Sequence, residues 1–259
     1  MQIESYNYFM NFVVYKTNTL KAAKNRIEEL LKAVSRSDID SPHIVIVPDR
    51  ASLAAERSML AAVGGSFNIQ VFTFNRYAGL IAPETLKPLS GQMAVLEMMK
   101  VIEQNADRLV CFSGAGNTEG FARKIYDVIS LLKYNRISPE KLLCACDDKA
   151  LSLKLKDIAL VYSAFQASVE NRYLDSADKL ETLLNAVGSS EQVKKSVYYI
   201  YDFDGLSVQE EAIVESLVRY SRGVYAACAA GAGYMYSNGF YASLNRICLL
   251  YTSDAADEL

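Results

Sequence analysis

The sequence predicts an α/β fold, a parallel-sheet core interrupted by an all-α insertion, and three observations carry that prediction. Up to Phe74, short runs of unbroken apolar residues such as His43-Ile44-Val45-Ile46-Val47-Pro48 alternate with amphipathic helical stretches. Strands that read apolar on both faces are buried on both faces, as in parallel sheets built from βαβ units. Between Pro83 and about Ala186 the apolar spacing is helical throughout, and from Ser196 sheet character returns.

Each element has its own justification. Phe12-Val13-Val14-Tyr15 is a β-rich run. From Thr19 to Val34, Leu20, Ala23, Ile27, Leu30 and Leu31 share one face while lysines, arginine and glutamate take the others, which predicts a helix. Ser35 to Pro42 is a polar connector before the strand His43 to Pro48. A helix from Asp49 to Leu60 is broken at Gly64-Gly65, and Ile69 to Phe74 is a third strand. Helices are predicted at Gln92–Gln104, Gly120–Tyr134, Ser138–Cys144, Leu151–Tyr173 and Ser176–Ala186. Strands at Ser196–Tyr201 and Gly223–Cys228 enclose a helix from Ser207 to Tyr220. The expected organisation is a core, residues 10–82 and 191–247, with a helical insertion at residues 83–190.

Composition narrows the function. With 27 Lys+Arg against 30 Asp+Glu, the net charge of −3 excludes a histone-like basic binder but leaves room for a local positive surface. His43 is the sole histidine, which removes most histidine-based triads and metal sites. The five cysteines follow no framework spacing, as expected in a reducing compartment. No basic flank with an apolar run opens the chain, and no stretch reaches the ~18 apolar residues of a membrane span. The expectation is a soluble, cytoplasmic protein without a membrane segment.

The turn after the first strand is where an α/β nucleotide-binding protein keeps its phosphate loop. Such a loop needs glycines so that backbone N–H groups can wrap phosphates, then Lys and Ser/Thr for phosphate and magnesium. Here it reads Tyr15-Lys16-Thr17-Asn18-Thr19-Leu20-Lys21-Ala22. Lys21 keeps the lysine place, but Tyr15 and Leu20 replace the glycines and Ala22 replaces the hydroxyl residue. This is a degenerate nucleotide loop, and a plain βα turn with a surface lysine describes it. Asp202 and Asp204, in Tyr201-Asp202-Phe203-Asp204-Gly205, end a strand expected beside the first one, where a magnesium-holding carboxylate belongs in such folds. Without the loop they read as turn or capping residues.

Two segments offer groups suited to a nucleic-acid strand: Arg50 after the second strand, and Thr73-Phe74-Asn75-Arg76 after the third. A ring stacks on a base and a guanidinium contacts phosphate; a helix start with a capping side chain describes the second segment equally well. The remaining signals are structural in their simplest reading. Cys144 and Cys146 lack further ligands for zinc. Gly114/Gly116 and Gly231/Gly233 lack dinucleotide spacing. His43 caps a buried strand, and Asp175 and Asp178 open a helix. No catalytic residue and no metal site is predicted.

In this order the segments resemble the N-terminal part of the AddB/RexB subunit of bacterial ATP-dependent helicase–nucleases. The carriers are Ile44 to Arg50; Gln70 to Ala78; Leu131 to Leu142; Lys156-Asp157-Ile158 with Asp175 to Leu180; and Tyr201 to Glu210. The resemblance implies a P-loop, superfamily 1 helicase-like core that no longer drives translocation. It implies a region that lies along single-stranded DNA at duplex ends, helps to read a Chi-type signal in double-strand-break repair, and pairs with an ATP-hydrolysing AddA-like subunit. Magnesium and a 4Fe–4S cluster belong, in that family, to a C-terminal nuclease domain, so no cofactor is expected here. Two alternatives stand beside this one: an active P-loop ATPase using Lys21 and Asp202/Asp204, and a structural docking domain. Residues 248–259 resemble the translation of a sequencing-library adapter and are expected to be a non-native tail.

Overall fold

A computed structural model describes residues 4–9, 11–82, 86–115, 118–144, 149–230 and 237–257. The chain divides into two compact units, residues 1–83 with 180–259, and residues 84–179. The expected boundary at Pro83 lies outside the described residues, as do Gly116, Cys146, Gly231 and Gly233.

The first unit is built on a six-stranded sheet. Its strands are β1 (Glu4–Phe9), β2 (Phe12–Thr17), β3 (His43–Ile46), β4 (Ile69–Phe72), β7 (Val197–Tyr201) and β8 (Gly223–Ala229), in spatial order β1-β2-β8-β7-β3-β4. β1 pairs antiparallel with β2; every other pairing is parallel. The strand carrying Asp202 is therefore not beside the first long strand, as its sequence suggests: β8 lies between them. β1 itself, with its mixed polar sequence, gives no strand signal in the sequence.

Helices α1 (Leu20–Ser37) and α2 (Ser52–Val63, after a 3-10 turn at Asp49–Ala51) connect β2 to β3 and β3 to β4. They pack on the sheet face formed by Val45, Val47, Tyr199 and Tyr201. The alternate residues, Ile44, Ile46, Tyr198 and Ile200, are equally buried and point to the other face. There α3 (Phe74–Ile81) sets Tyr77 edge-on to Tyr198, their hydroxyls hydrogen-bonded. Helix α10 (Val208–Tyr220) carries the β7–β8 connection. Because β2 and β3 feed one direction along the sheet and β7 the other, right-handed crossovers place these helices on opposite faces. Helix α9 (Glu191–Lys195) precedes β7, and α11 (Ser237–Asp257) packs on β8, burying Phe240, Leu244, Ile247 and Cys248.

The second unit contains α4 (Gly91–Gln104), α5 (Glu119–Tyr134), the short α6 (Pro139–Leu143) and α7 (Lys149–Val169). Ala94, Met98 and Val101 of α4, Ile125 and Ile129 of α5, and Phe165 of α7 recur at helical spacing and close one core. Two very short strands, β5 (Lys87–Pro88) and β6 (Tyr173–Leu174), pair in parallel, where the sequence suggests helices alone. Helix α8 (Ser176–Val187) begins in this unit and ends in the first.

At the amino end of β3, His43 is 1% exposed. Its Nδ1 lies 3.1 Å from the Tyr199 hydroxyl and its Nε2 3.3 Å from the Asp38 carbonyl. The carbonyl can only accept, so Nε2 carries the proton and Nδ1 accepts from Tyr199. Burial holds the imidazole below its ordinary pKa of 6.5 despite nearby Asp38. The fold thus binds the neutral ring, and the stability this supplies is whole above pH 6.5. It is lost as pH falls through the lowered folded value. Urea melts should show a lower midpoint at about pH 5.5 than at about pH 7.5, and His43→Gln should flatten the difference.

Candidate functional site at the carboxyl edge of the sheet

All parallel strands of the first unit end on one edge, and β3 and β7 are neighbours whose connections leave toward opposite faces. That makes the crevice beyond their carboxyl ends a topological switch point, where open α/β sheets place their ligands. Arg50, on the 3-10 turn after β3, reaches across it. Its Nη2 donates to the Asp202 carbonyl at 2.6 Å and to Asp204 Oδ2 at 3.1 Å, and its Nη1 lies 3.5 Å from Asp202 Oδ2. Asp202 has φ = 69°, the left-handed region that aspartate tolerates better than most residues. Burial raises its carboxyl above the usual value, with Arg50 pulling down and Asp204 pushing up.

The left-handed residue turns Phe203 inward, where it packs between Phe74 (5.7 Å) and Phe240 (5.5 Å). The Asp204 carbonyl accepts from Phe240 N at 2.9 Å. A Cβ on Gly239 would lie 2.6 Å from that same oxygen, so only glycine fits there. Ser207 then starts α10 in a capping box with Glu210. Asp202 and Asp204 thus shape the turn and neutralise Arg50; the helix cap belongs to Ser207.

A cavity of about 230 Å³ opens here, walled by Pro48, Arg50, Thr73, Asn75, Phe203 and Glu210. The structure brings all of Arg50, Thr73, Phe74 and Asn75 to it, but in different states. Thr73 is buried and caps α3, accepting from Arg76 N at 3.4 Å. Phe74 is 3% exposed and committed to Phe203, so its ring is not open to stacking. Asn75 Oδ1 is buried with no hydrogen-bond partner. Arg76 stands on the surface, paired with Glu56 at 2.7 Å and lying over the Phe72 ring. The ion pairs of Arg50 and Arg76 are half exposed, the class worth little and readily exchanged for another anion.

The degenerate nucleotide loop is a tight turn. β2 ends at Thr17 and α1 begins at Leu20, leaving Asn18 and Thr19 between them. Thr19 Oγ1 accepts from Ala22 N at 3.0 Å, filling the helix start, and Thr17 Oγ1 donates to the Cys228 carbonyl. Tyr15 is buried under the Arg26 guanidinium, Lys16 lies over the Tyr241 ring, and Leu20 and Lys21 are exposed. The two-residue turn is lined by Cβ-bearing residues where a phosphate loop has glycines, Thr19 takes the Ala22 N–H, and Ala22 offers magnesium no ligand. These residues do not fit a magnesium nucleotide. Among the described residues there is no cluster of three or more His, Cys, Asp or Glu placed to hold a metal, and no helix long and apolar enough to cross a membrane.

Sequence reasoning missed the polar centre of the second unit. Lys133, in α5, is buried against Asp175 (2.6 Å) and Asp178 (2.7 Å), and Asp175 Oδ1 also accepts from Asp178 N. The segments Leu131–Leu142 and Asp175–Leu180 contain both sides of this contact; their charge pattern alone could have suggested it.

A family model described as "ADDB, N-terminal" matches residues 21–239. The B-type subunit of the ATP-dependent helicase/deoxyribonuclease from Clostridium botulinum (strain Langeland) is 30% identical over 208 residues, 77% of this chain and 17% of the relative. Proteins of the same name from Clostridium kluyveri and Staphylococcus saprophyticus are 28% and 27% identical, the latter over 83% of this chain and 19% of its own length. The chain therefore spans about a fifth or less of the curated relatives it matches.

Proposed function

Since this chain belongs to the ADDB N-terminal family, we propose that it is the helicase-like, ATPase-silent module of a DNA end-processing helicase–nuclease subunit. Its core is a superfamily 1 type P-loop fold with the helical unit inserted, and its carboxyl edge grips a DNA strand. The observation that supports silence is the β2–α1 turn. Thr19 takes the Ala22 N–H, one of the donors a phosphate would use, and Tyr15, Leu20 and Ala22 stand where a working loop has glycines and a hydroxyl residue. The motor is then an AddA-like partner subunit, and this chain guides single-stranded DNA unwound from duplex ends and takes part in reading a Chi-type signal. Magnesium and iron–sulfur chemistry reside in the longer polypeptide, outside this stretch.

The edge suits a strand better than a nucleotide. Arg50, Asn75 and Arg76 lie along the ends of β3 and β4, and two of them carry charge that phosphate can capture from exposed carboxylates. In the complete complex, Arg76→Ala should weaken single-stranded DNA binding and lower its salt dependence by roughly 0.7 log units per decade of salt, one phosphate contact. Lys21→Ala should leave ATP hydrolysis by the complex unchanged. Hydrolysis abolished by Lys21→Ala, or salt-dependent binding untouched by Arg50→Ala and Arg76→Ala together, would overturn the respective half of the reading.

A further inference from the structure

Arg50 and Arg76, the two arginines of the carboxyl edge, are held in the same two-part way. Arg50 Nη2 donates to the Asp202 carbonyl at 2.6 Å and to Asp204 Oδ2 at 3.1 Å. Arg76 lies 5.8 Å from the centre of the Phe72 ring, and its Nη1 donates to Glu56 Oε1 at 2.7 Å. One contact of each arginine is thus an uncharged, fixed part of the fold: a backbone carbonyl for Arg50, a ring on β4 for Arg76. The other is a solvated carboxylate from a different element, since the Asp204 side chain is 63% exposed and that of Glu56, on α2, 42%. The Asp204 backbone cannot drift, because Phe240 N–H donates to its carbonyl and a Cβ on Gly239 would collide with it. Only the side chain can swing away. The Asp202 carboxylate, 3.5 Å from Arg50 Nη1 and 30% exposed, stays with the turn. If Asp204 and Glu56 left, both guanidiniums would still be in place.

We propose that Asp204 and Glu56 are built-in competitors for the strand: each occupies the guanidinium face that a phosphate takes, so the edge grips DNA weakly and releases it readily. Carboxylate and phosphate are interchangeable acceptors for a guanidinium, and a phosphate arriving at Arg50 or Arg76 displaces a carboxylate rather than water. The charge of the edge agrees. Asp49, Asp204 and Glu210 line the cavity with Arg50, while Asp202 and Glu56 reach its two arginines, so carboxylates outnumber guanidiniums. Such a surface does not draw free DNA from solution as a basic cleft does. It suits a strand that another subunit delivers and keeps moving, because each phosphate must be let go before the next is taken. The inference deepens the DNA-binding reading above and rests on it.

The test measures binding and release of a single-stranded oligonucleotide by the complete complex, in two double-mutant cycles. Asp204→Asn should tighten binding about two- to fivefold, the size of an exposed ion pair, mostly through slower release. In an Arg50→Ala background the same substitution should change nothing. Glu56→Gln should behave alike, with its gain lost in an Arg76→Ala background. The two cycles are independent, so one serves if a variant of the other does not fold. Equal tightening with and without the arginine overturns the proposal, since the carboxylate then acts only as general negative charge. Weaker binding by Asp204→Asn or Glu56→Gln also overturns it, since the carboxylate then orients its arginine for the strand. If the arginine substitutions weaken binding and the carboxylate substitutions do nothing, the proposal alone has failed. If Arg50→Ala and Arg76→Ala together leave binding unchanged, the DNA-binding reading has failed and the proposal with it.

Discussion

Lys133→Ala is expected to destabilise the helical unit by about 3–5 kcal/mol, the range for removing one partner of a buried ion pair. The Lys133 side chain is 8% exposed and that of Asp175 3%, so neither charge has water to fall back on. Burial alone would lower the lysine pKa, but Asp175 and Asp178 together raise it, so the ammonium persists across the working pH range. Asp178 sits above its ordinary value, through burial first and the Asp175 charge second. Removing the lysine leaves two carboxylates facing each other, and one of them must take a proton. Asp178 is 38% exposed and borders a cavity of about 470 Å³. Water entering there should bring the cost toward the lower end. Exchange measured by mass spectrometry across residues 119–143 and 149–179 localises the loss, which a melt of the whole two-unit chain would blur. Lys133→Met combined with Asp175→Asn should recover part of it, since the apolar stem is kept and one unpaired charge is gone.

That centre also shows where sequence reasoning stops. β3 and β7 are legible because burial on both faces leaves unbroken apolar runs, and α1, α4 and α5 because their apolar residues recur at helical spacing. β1 (Glu-Ser-Tyr-Asn-Tyr-Phe) is not, since an edge strand paired on one side needs no such run. The sequence extends the third strand through Phe74, whereas Thr73 caps a helix that begins at Phe74. Phe and Tyr favour strands locally, and only packing against Phe203 and Tyr198 decides for the helix. The switch-point segments can be picked out, but not their commitments. Arg50 meets carboxylates more than 150 positions away, and the burial of Phe74 depends on two rings from other elements. Chemistry-bearing residue types can be read from a chain; whether a side chain is spent on the fold or left for a ligand is a tertiary fact.

Asp157→Ala is the second large expected loss, about 2–3 kcal/mol. The Asp157 carboxylate, 2% exposed on α7, accepts from three successive backbone N–H groups: Val110 (3.1 Å to each oxygen), Cys111 (2.8 Å) and Phe112 (3.0 Å). A carboxylate seated in such a nest replaces a turn of secondary structure for a segment that has none. Alanine strands all three donors, but Val110 and Cys111 are exposed, so water can reach part of the loop and the cost stays below three full desolvation penalties. Asp157→Asn is the sharper test. It keeps the volume and one acceptor oxygen, loses the charge, and turns an NH2 toward groups that can only donate. A loss of about 1–2 kcal/mol is expected, with exchange accelerating at residues 110–112 and unchanged in the β-sheet unit. If the loop kept its protection, the carboxylate would be a bystander to a conformation held by Leu109 and the Phe112–Phe121 contact. The expected loss would also mean that a residue from a segment that carries the family resemblance is spent on shaping the helical unit rather than left for a ligand.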